Sequence, residues 1–176
     1  FLGYTCHILW QDKRYEDTYW EEALQDDSAL LKEIETISSD AVPVTAGTYV
    51  ENIRALSIRE NSFRLTFNLW FSWKGSPELD MIHHFRIYKG NIHNIEILEN
   101  INSEDVNYQL ARIDATISKD YWTVRFPLES YQLHFYIEPD RTADQVRIQA
   151  DTENSLVLPV MTLNGFELSR SGVSVR

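Results

Sequence analysis

Cysteine is nearly missing from this sequence: Cys6 stands alone among 176 residues. A single thiol excludes an internal disulfide and any four-cysteine metal framework. It also argues against a small secreted scaffold that depends on covalent staples. A cytosolic setting and a bacterial extracytoplasmic one both remain compatible. Long apolar runs are missing as well, since no stretch approaches the roughly 18 consecutive apolar residues of a membrane-crossing helix. Positive charge is short, with 16 Lys and Arg against 27 Asp and Glu, a formal net charge of −11. That balance argues against non-specific binding to nucleic acid or anionic lipid, which needs a cationic surface. It favours cationic ligands, although an acidic surface also serves plain solubility.

Catalytic signatures are equally scarce. The sequence has no Gly-x-Ser-x-Gly elbow, no phosphate-cradling glycine loop and no His-Glu-x-x-His. Glu21-Glu22 and Asp26-Asp27 sit in a solvated helical pattern and read as surface charge. The expectation is a protein that is not an enzyme and uses no cofactor. His83 and His84 are neighbours in a strand pattern and so point to opposite faces. His84 and His93 across a Gly90 hairpin lack a Cys or carboxylate framework, and no metal is expected.

What is present is apolar and aromatic: hydrophobic residues are 43% and aromatic residues 12%. Such a chain buries a real core at single-domain length. Residues 1–42 form the expected N-terminal segment. Within it, Glu16–Ser38 carries Tyr19, Ala23, Leu30, Leu31 and Ile34 at helical spacing, as one helix or two. The opening Phe1–Trp10, followed by charged Gln11–Arg14, reads either as the trailing edge of a membrane anchor or signal segment, or as a buried first element. Residues 43–176 read as strand throughout. Thr48–Ile58, Ser62–Trp73, Met81–Tyr88, Ile92–Leu98, Val106–Ser118, Tyr131–Glu138, Val146–Ala150, Leu156–Met161 and Phe166–Val175 give about nine short strands, the pattern of an antiparallel sandwich or barrel. Lys89-Gly90-Asn91 is the best local hairpin turn.

Between two of those strands lies a long, proline-centred connection, Lys119 to Tyr131, too long for a tight hairpin. The run Asp120-Tyr-Trp-Thr-Val-Arg-Phe126-Pro127-Leu-Glu129-Ser-Tyr-Gln132 resembles the signature loop of pentameric ligand-gated ion channels, the Cys-loop or Pro-loop receptors. Phe126, Pro127, Glu129 and Gln132 fall on its aromatic-Pro-aromatic-Asp…Gln positions, with Glu129 for Asp and Leu128 for the second aromatic. The half-cystines of the animal receptors would fall at Lys119 and Leu133, so the chain is closer to the prokaryotic members. Gly47-Thr-Tyr49-Val-Glu-Asn52-Ile53 and Leu69-Trp70-Phe-Ser-Trp73-Lys74 are similar to the first two strands of the same extracellular domain. Leu163-Asn-Gly165-Phe-Glu-Leu168 resembles the entry to its penultimate strand.

The resemblance implies an immunoglobulin-like antiparallel β-sandwich with an N-terminal helix, placed on the periplasmic or extracellular face of a bacterial membrane. It implies a small-molecule ligand, a homo-oligomer (a pentamer if channel-like), and coupling to a membrane output through segments outside this chain. The ligand candidates are Trp70, Trp73, Tyr108 and Arg112. For each tryptophan the competing role is to cap the core, and for Arg112 it is a structural ion pair. The coupling-loop candidates are Tyr121, Trp122, Arg125, Phe126, Pro127 and Glu129, whose aromatics otherwise plug the end of the core. The alternative function is a lipocalin-like or other β carrier enclosing an apolar ligand.

Overall fold

The computed structural model describes residues 41–103, 105–119, 133–142 and 144–158, all within one compact unit, Asp40–Val173. The helical pattern at Glu16–Ser38, the coupling-loop candidates from Tyr121 to Glu129 and the strand expected at Phe166–Val175 lie outside the described residues.

Among the described residues the protein is mainly β. Eight strands follow in order: β1 Val42–Ser57, β2 Ser62–Trp73, β3 Phe85–Ile87, β4 Gly90–Asn102, β5 Asn107–Ser118, β6 Ile137–Pro139, β7 Val146–Ala150 and β8 Leu156–Val157. The principal sheet runs β4-β5-β2-β1-β7, with β8 also on β1, and β3 pairs with β6 in a second, two-stranded sheet. β2 is antiparallel to both neighbours, but β7 and β8 lie parallel to β1. The sheet is therefore mixed, where alternation alone suggested an antiparallel one.

β2 shows why this sheet forms where it does. Phe63, Leu65, Phe67, Leu69, Phe71 and Trp73 share one face, and all six are buried. A period of two places them there, and burying each such side chain is worth about 1.5–3 kcal/mol. On β5, Ala111, Ile113, Ala115 and Ile117 are buried on the same side. The register sets Leu65 against Ala115 and Leu69 against Ala111, a small residue beside each large one. Met81, Ile82, Phe85 and Ile87 join this cluster, as do the partly buried Leu133, Phe135 and Ile137. Phe67 meets Phe135 with ring centroids 4.9 Å apart, and Phe71 meets Phe85 at 6.1 Å.

Two expected strands take another form. Met81–Tyr88 begins as a 3-10 turn, Met81–His83, and only Phe85–Ile87 is strand. Asp80 precedes the turn with φ 42°, and its carboxylate binds His83 Nδ1 at 2.8 Å and accepts from Gln109 Nε2 at 2.8 Å. These side-chain bonds compete with a strand ladder and win. Tyr131–Glu138 is strand only from Ile137 among its described residues. The expected hairpin at Lys89-Gly90-Asn91 is a corner instead. Lys89 takes φ 51°, β3 pairs with β6, and β4 pairs with β5. Gly90 permits the corner because a β-carbon there would lie 2.6 Å from Ile87.

Candidate functional site

The solvent-facing side of β1, β2 and β5 carries the polar half of each strand alternation. Gly47 and Trp70 are paired across β1 and β2, and the indole lies over Gly47. No other residue type leaves room for the ring there.

A break in the neighbouring strand supplies the next piece. β7 and β8 both run along β1, and between them the chain turns out at Asp151–Ser155. Asp151 N–H still donates to Ala46 O at 2.7 Å, and Ser155 Oγ accepts from Thr48 N–H at 3.1 Å, so the backbone of β1 stays satisfied. The Asp151 carboxylate accepts from Asn154 N–H at 3.2 Å and from Asn154 Nδ2 at 2.9 Å. Such bonds are what Asp does at turns. Its other oxygen accepts from Trp70 Nε1 at 3.1 Å. One carboxylate thus ties the turn to the indole.

Tyr49, Asn68, Trp70, Tyr108, Leu110, Asp151 and Asn154 line a recess of about 390 Å³. Burial works to raise the Asp151 carboxyl, but the Asn154 and Trp70 donors outweigh it and hold the group below its ordinary value. It is an anion at neutral pH. The Tyr108 phenol is pushed up, by burial first and then by the negative charges of Glu99 and Asp151. Asn68 Oδ1 is buried and accepts no hydrogen bond. Three aromatic rings, an ionised carboxylate and an unused acceptor suit a small cation bearing N–H donors, since ring faces attract positive charge and carboxylates strengthen such bonds.

Of the four ligand candidates, the structure brings Trp70 and Tyr108 together. Trp73 is on the opposite face, 2% exposed, with its indole N–H donated to Ser76 O at 2.9 Å. Trp73 follows Trp70 by three positions, and an odd interval in a strand puts side chains on opposite faces. Its ring packs in the core and does not line this recess. Arg112 shares the face of Tyr108 but stands outside the recess lining, its guanidinium paired with Glu51.

Tyr49, Asn68, Asp151 and Asn154 were not singled out by the sequence. Asn68 lies on the outward parity of β2, a strand expected at its observed bounds, which was a usable signal; the strand of Tyr49 was expected at Thr48–Ile58 and runs Val42–Ser57. Asp151-Thr-Glu-Asn154 has turn chemistry, but its partner Trp70 is set by a parallel pairing that no local pattern specifies. No protein-family model matches the chain, and no curated protein sequence matches it.

Proposed function

We propose that this chain is the extracytoplasmic ligand-recognition domain of a membrane-linked sensor, akin to the extracellular domain of prokaryotic pentameric ligand-gated ion channels. Its ligand is a small organic cation with N–H donors, such as a primary amine. The observation that carries the reading is the recess in which Trp70, Tyr49 and Tyr108 surround the ionised Asp151. The two stretches resembling that family, beginning at Gly47 and Leu69, lie on β1 and β2, neighbouring strands paired in register, which supports treating them as one block. The β3–β6 pair, sharing a buried cluster with the main sheet, supports a two-sheet sandwich.

Self-association is part of the proposal. Edge strand β4 leaves Ile95, Ile97, Leu98 and Ile101 exposed, more apolar surface than a solvated edge normally shows. The membrane output resides in segments outside this chain, and the domain performs no catalysis. An internal carrier cavity gains no support, because Leu65, Phe67, Leu69 and Phe71 fill the space it would need.

Titration calorimetry with a panel of primary amines, matched quaternary ammonium ions and carboxylates tests the reading. Saturable binding of an amine, weakened about tenfold or more by Trp70→Ala, is the expected result. Amines that bind Trp70→Ala as well as the parent overturn it. Light scattering on the eluting protein reports the oligomer, and a strictly monomeric protein at all concentrations removes the channel-like assembly.

A further inference from the structure

A second recess opens at the C-terminal end of β2, where Trp73 belongs to the opposite face from Trp70. Val42, Trp73 and Leu79 form its apolar wall, and Ser76, Glu78, Arg141 and Gln145 complete it. Its volume is about 250 Å³. Each polar group but one is already engaged or faces water. Trp73 Nε1 donates to Ser76 O, Ser76 Oγ accepts from Glu78 N–H, and Gln145 O accepts from Val42 N–H at 2.9 Å. Glu78 and Gln145 side chains are exposed.

Arg141 is the exception. Its Nε is buried and has no hydrogen-bond partner, and the guanidinium forms no ion pair among the described residues. Arg54, Arg64, Arg86 and Arg112 each have a carboxylate. Among the described residues no carboxylate pairs with this arginine, which stands beside an apolar wall as a charge able to take an anionic partner. Arg147 Nε is also buried and unpartnered, but Arg147 does not line this recess.

We infer that this recess is a binding site for a small monocarboxylate with a compact apolar body. The planar guanidinium matches a carboxylate through two parallel N–H donors. The ligand body lies against Leu79 and Val42, with the nearly fully buried Trp73 at the base, and the recess admits a single ring or a short branched chain. Phosphate fits the arginine but not the apolar wall, and the Glu78 carboxylate on the rim repels a dianion more than a monoanion. The site shares no lining residue with the Trp70 recess, so it stands apart from the amine-binding reading.

Benzoate is the probe, titrated into the whole chain and followed by ligand-observed NMR or calorimetry. Benzoate saturates the parent protein, while neutral benzamide, which presents the same ring without the charge, does not. Arg141→Gln weakens benzoate about tenfold or more, as expected for loss of a charge-assisted pair, and keeps the parent melting temperature because Arg141 holds no other group. Arg141→Lys is intermediate. Trp70→Ala leaves benzoate binding unchanged, so failure here and failure of the amine site are read separately. Leu79→Trp fills the recess while keeping the arginine, and it abolishes binding; this variant decides the matter if Arg141→Gln does not fold. Benzoate that fails to saturate, that binds Arg141→Gln or Leu79→Trp like the parent, or that inorganic phosphate matches in affinity overturns the assignment.

Discussion

The indole of Trp70 lies so close over Gly47 that a β-carbon at position 47 would sit 2.2 Å from the ring. That clearance fixes the ring over β1, where Asp151 reaches its N–H. Gly47→Ala must push the ring off the sheet. The expected cost is about 1–3 kcal/mol of stability, the usual scale for overpacking, together with loss of amine binding. Urea unfolding and calorimetry on the same variant check both.

Stability should fall in acid, for a reason that can be assigned to particular groups. Arg64 donates to Asp114 at 2.9 and 2.8 Å, and this bond, opposed by burial and helped by the charges of Arg64, Arg54 and His93, holds the Asp114 carboxyl below its ordinary value. In Asp80 burial works upward, but the bonds from His83 and Gln109 and the charges of His83 and His84 outweigh it. Both folded-state values are depressed. Their contribution is therefore complete above the unfolded carboxylate value, about 3.9, and is lost as pH falls through the lower folded values. Melting temperature against pH should drop below about pH 4, and Asp114→Asn should flatten part of that drop. An identical acid profile in the variant would remove Asp114 from the account.

Arg112→Ala should do little. Its ion pair with Glu51 is half exposed, at 46% and 24% for the two side chains, and such pairs contribute about 0–1 kcal/mol. The amine affinity should stay within about threefold, because the residue does not line the recess and its field there is screened. A tenfold loss by calorimetry would put Arg112 back among the ligand residues.

Phe67→Ala should be severe. The ring is fully buried and meets Phe135 across the core. A loss of about 3–5 kcal/mol is expected, measured by urea unfolding. A loss below about 1 kcal/mol would mean that the core under β2 collapses around the gap.

How far the sequence foretells this protein depends on which strand is considered. β2 was readable at its bounds and in its core face from Phe63 to Phe71, where five apolar side chains alternate without interruption, whereas Trp73 on the same parity was named as a ligand candidate. β5 was readable for the same reason, including which of Tyr108, Arg112 and Asp114 face outward. Met81–Tyr88 was not, because its 3-10 start depends on Asp80 binding Gln109, a contact 29 positions away. Lys89-Gly90 has hairpin chemistry and a turn does occur there, yet its flanking strands choose different partners. Periodicity says which face is buried and never which strand comes alongside. The recess divides in the same way: Trp70 and Tyr108 were candidates through the family resemblance, whereas Asp151 arrives through the parallel edge of β1.

That parallel edge also bears on the order of folding. β1 meets β2 through a turn at residues 58–61, so this pair closes over a short loop. Its other edge waits for Val146 to reach Val42, about a hundred residues along the chain, and closing so distant a contact is slow because chain entropy is spent before any pairing returns it. A β1–β2 hairpin closed on its own would leave both outer edges bare, β1 toward β7 and β2 toward β5, with Trp70 facing Gly47 across the pair. Asp151 reaches that indole only once β7 has docked on β1, so the recess depends on the long-range parallel pairing and not on the hairpin alone.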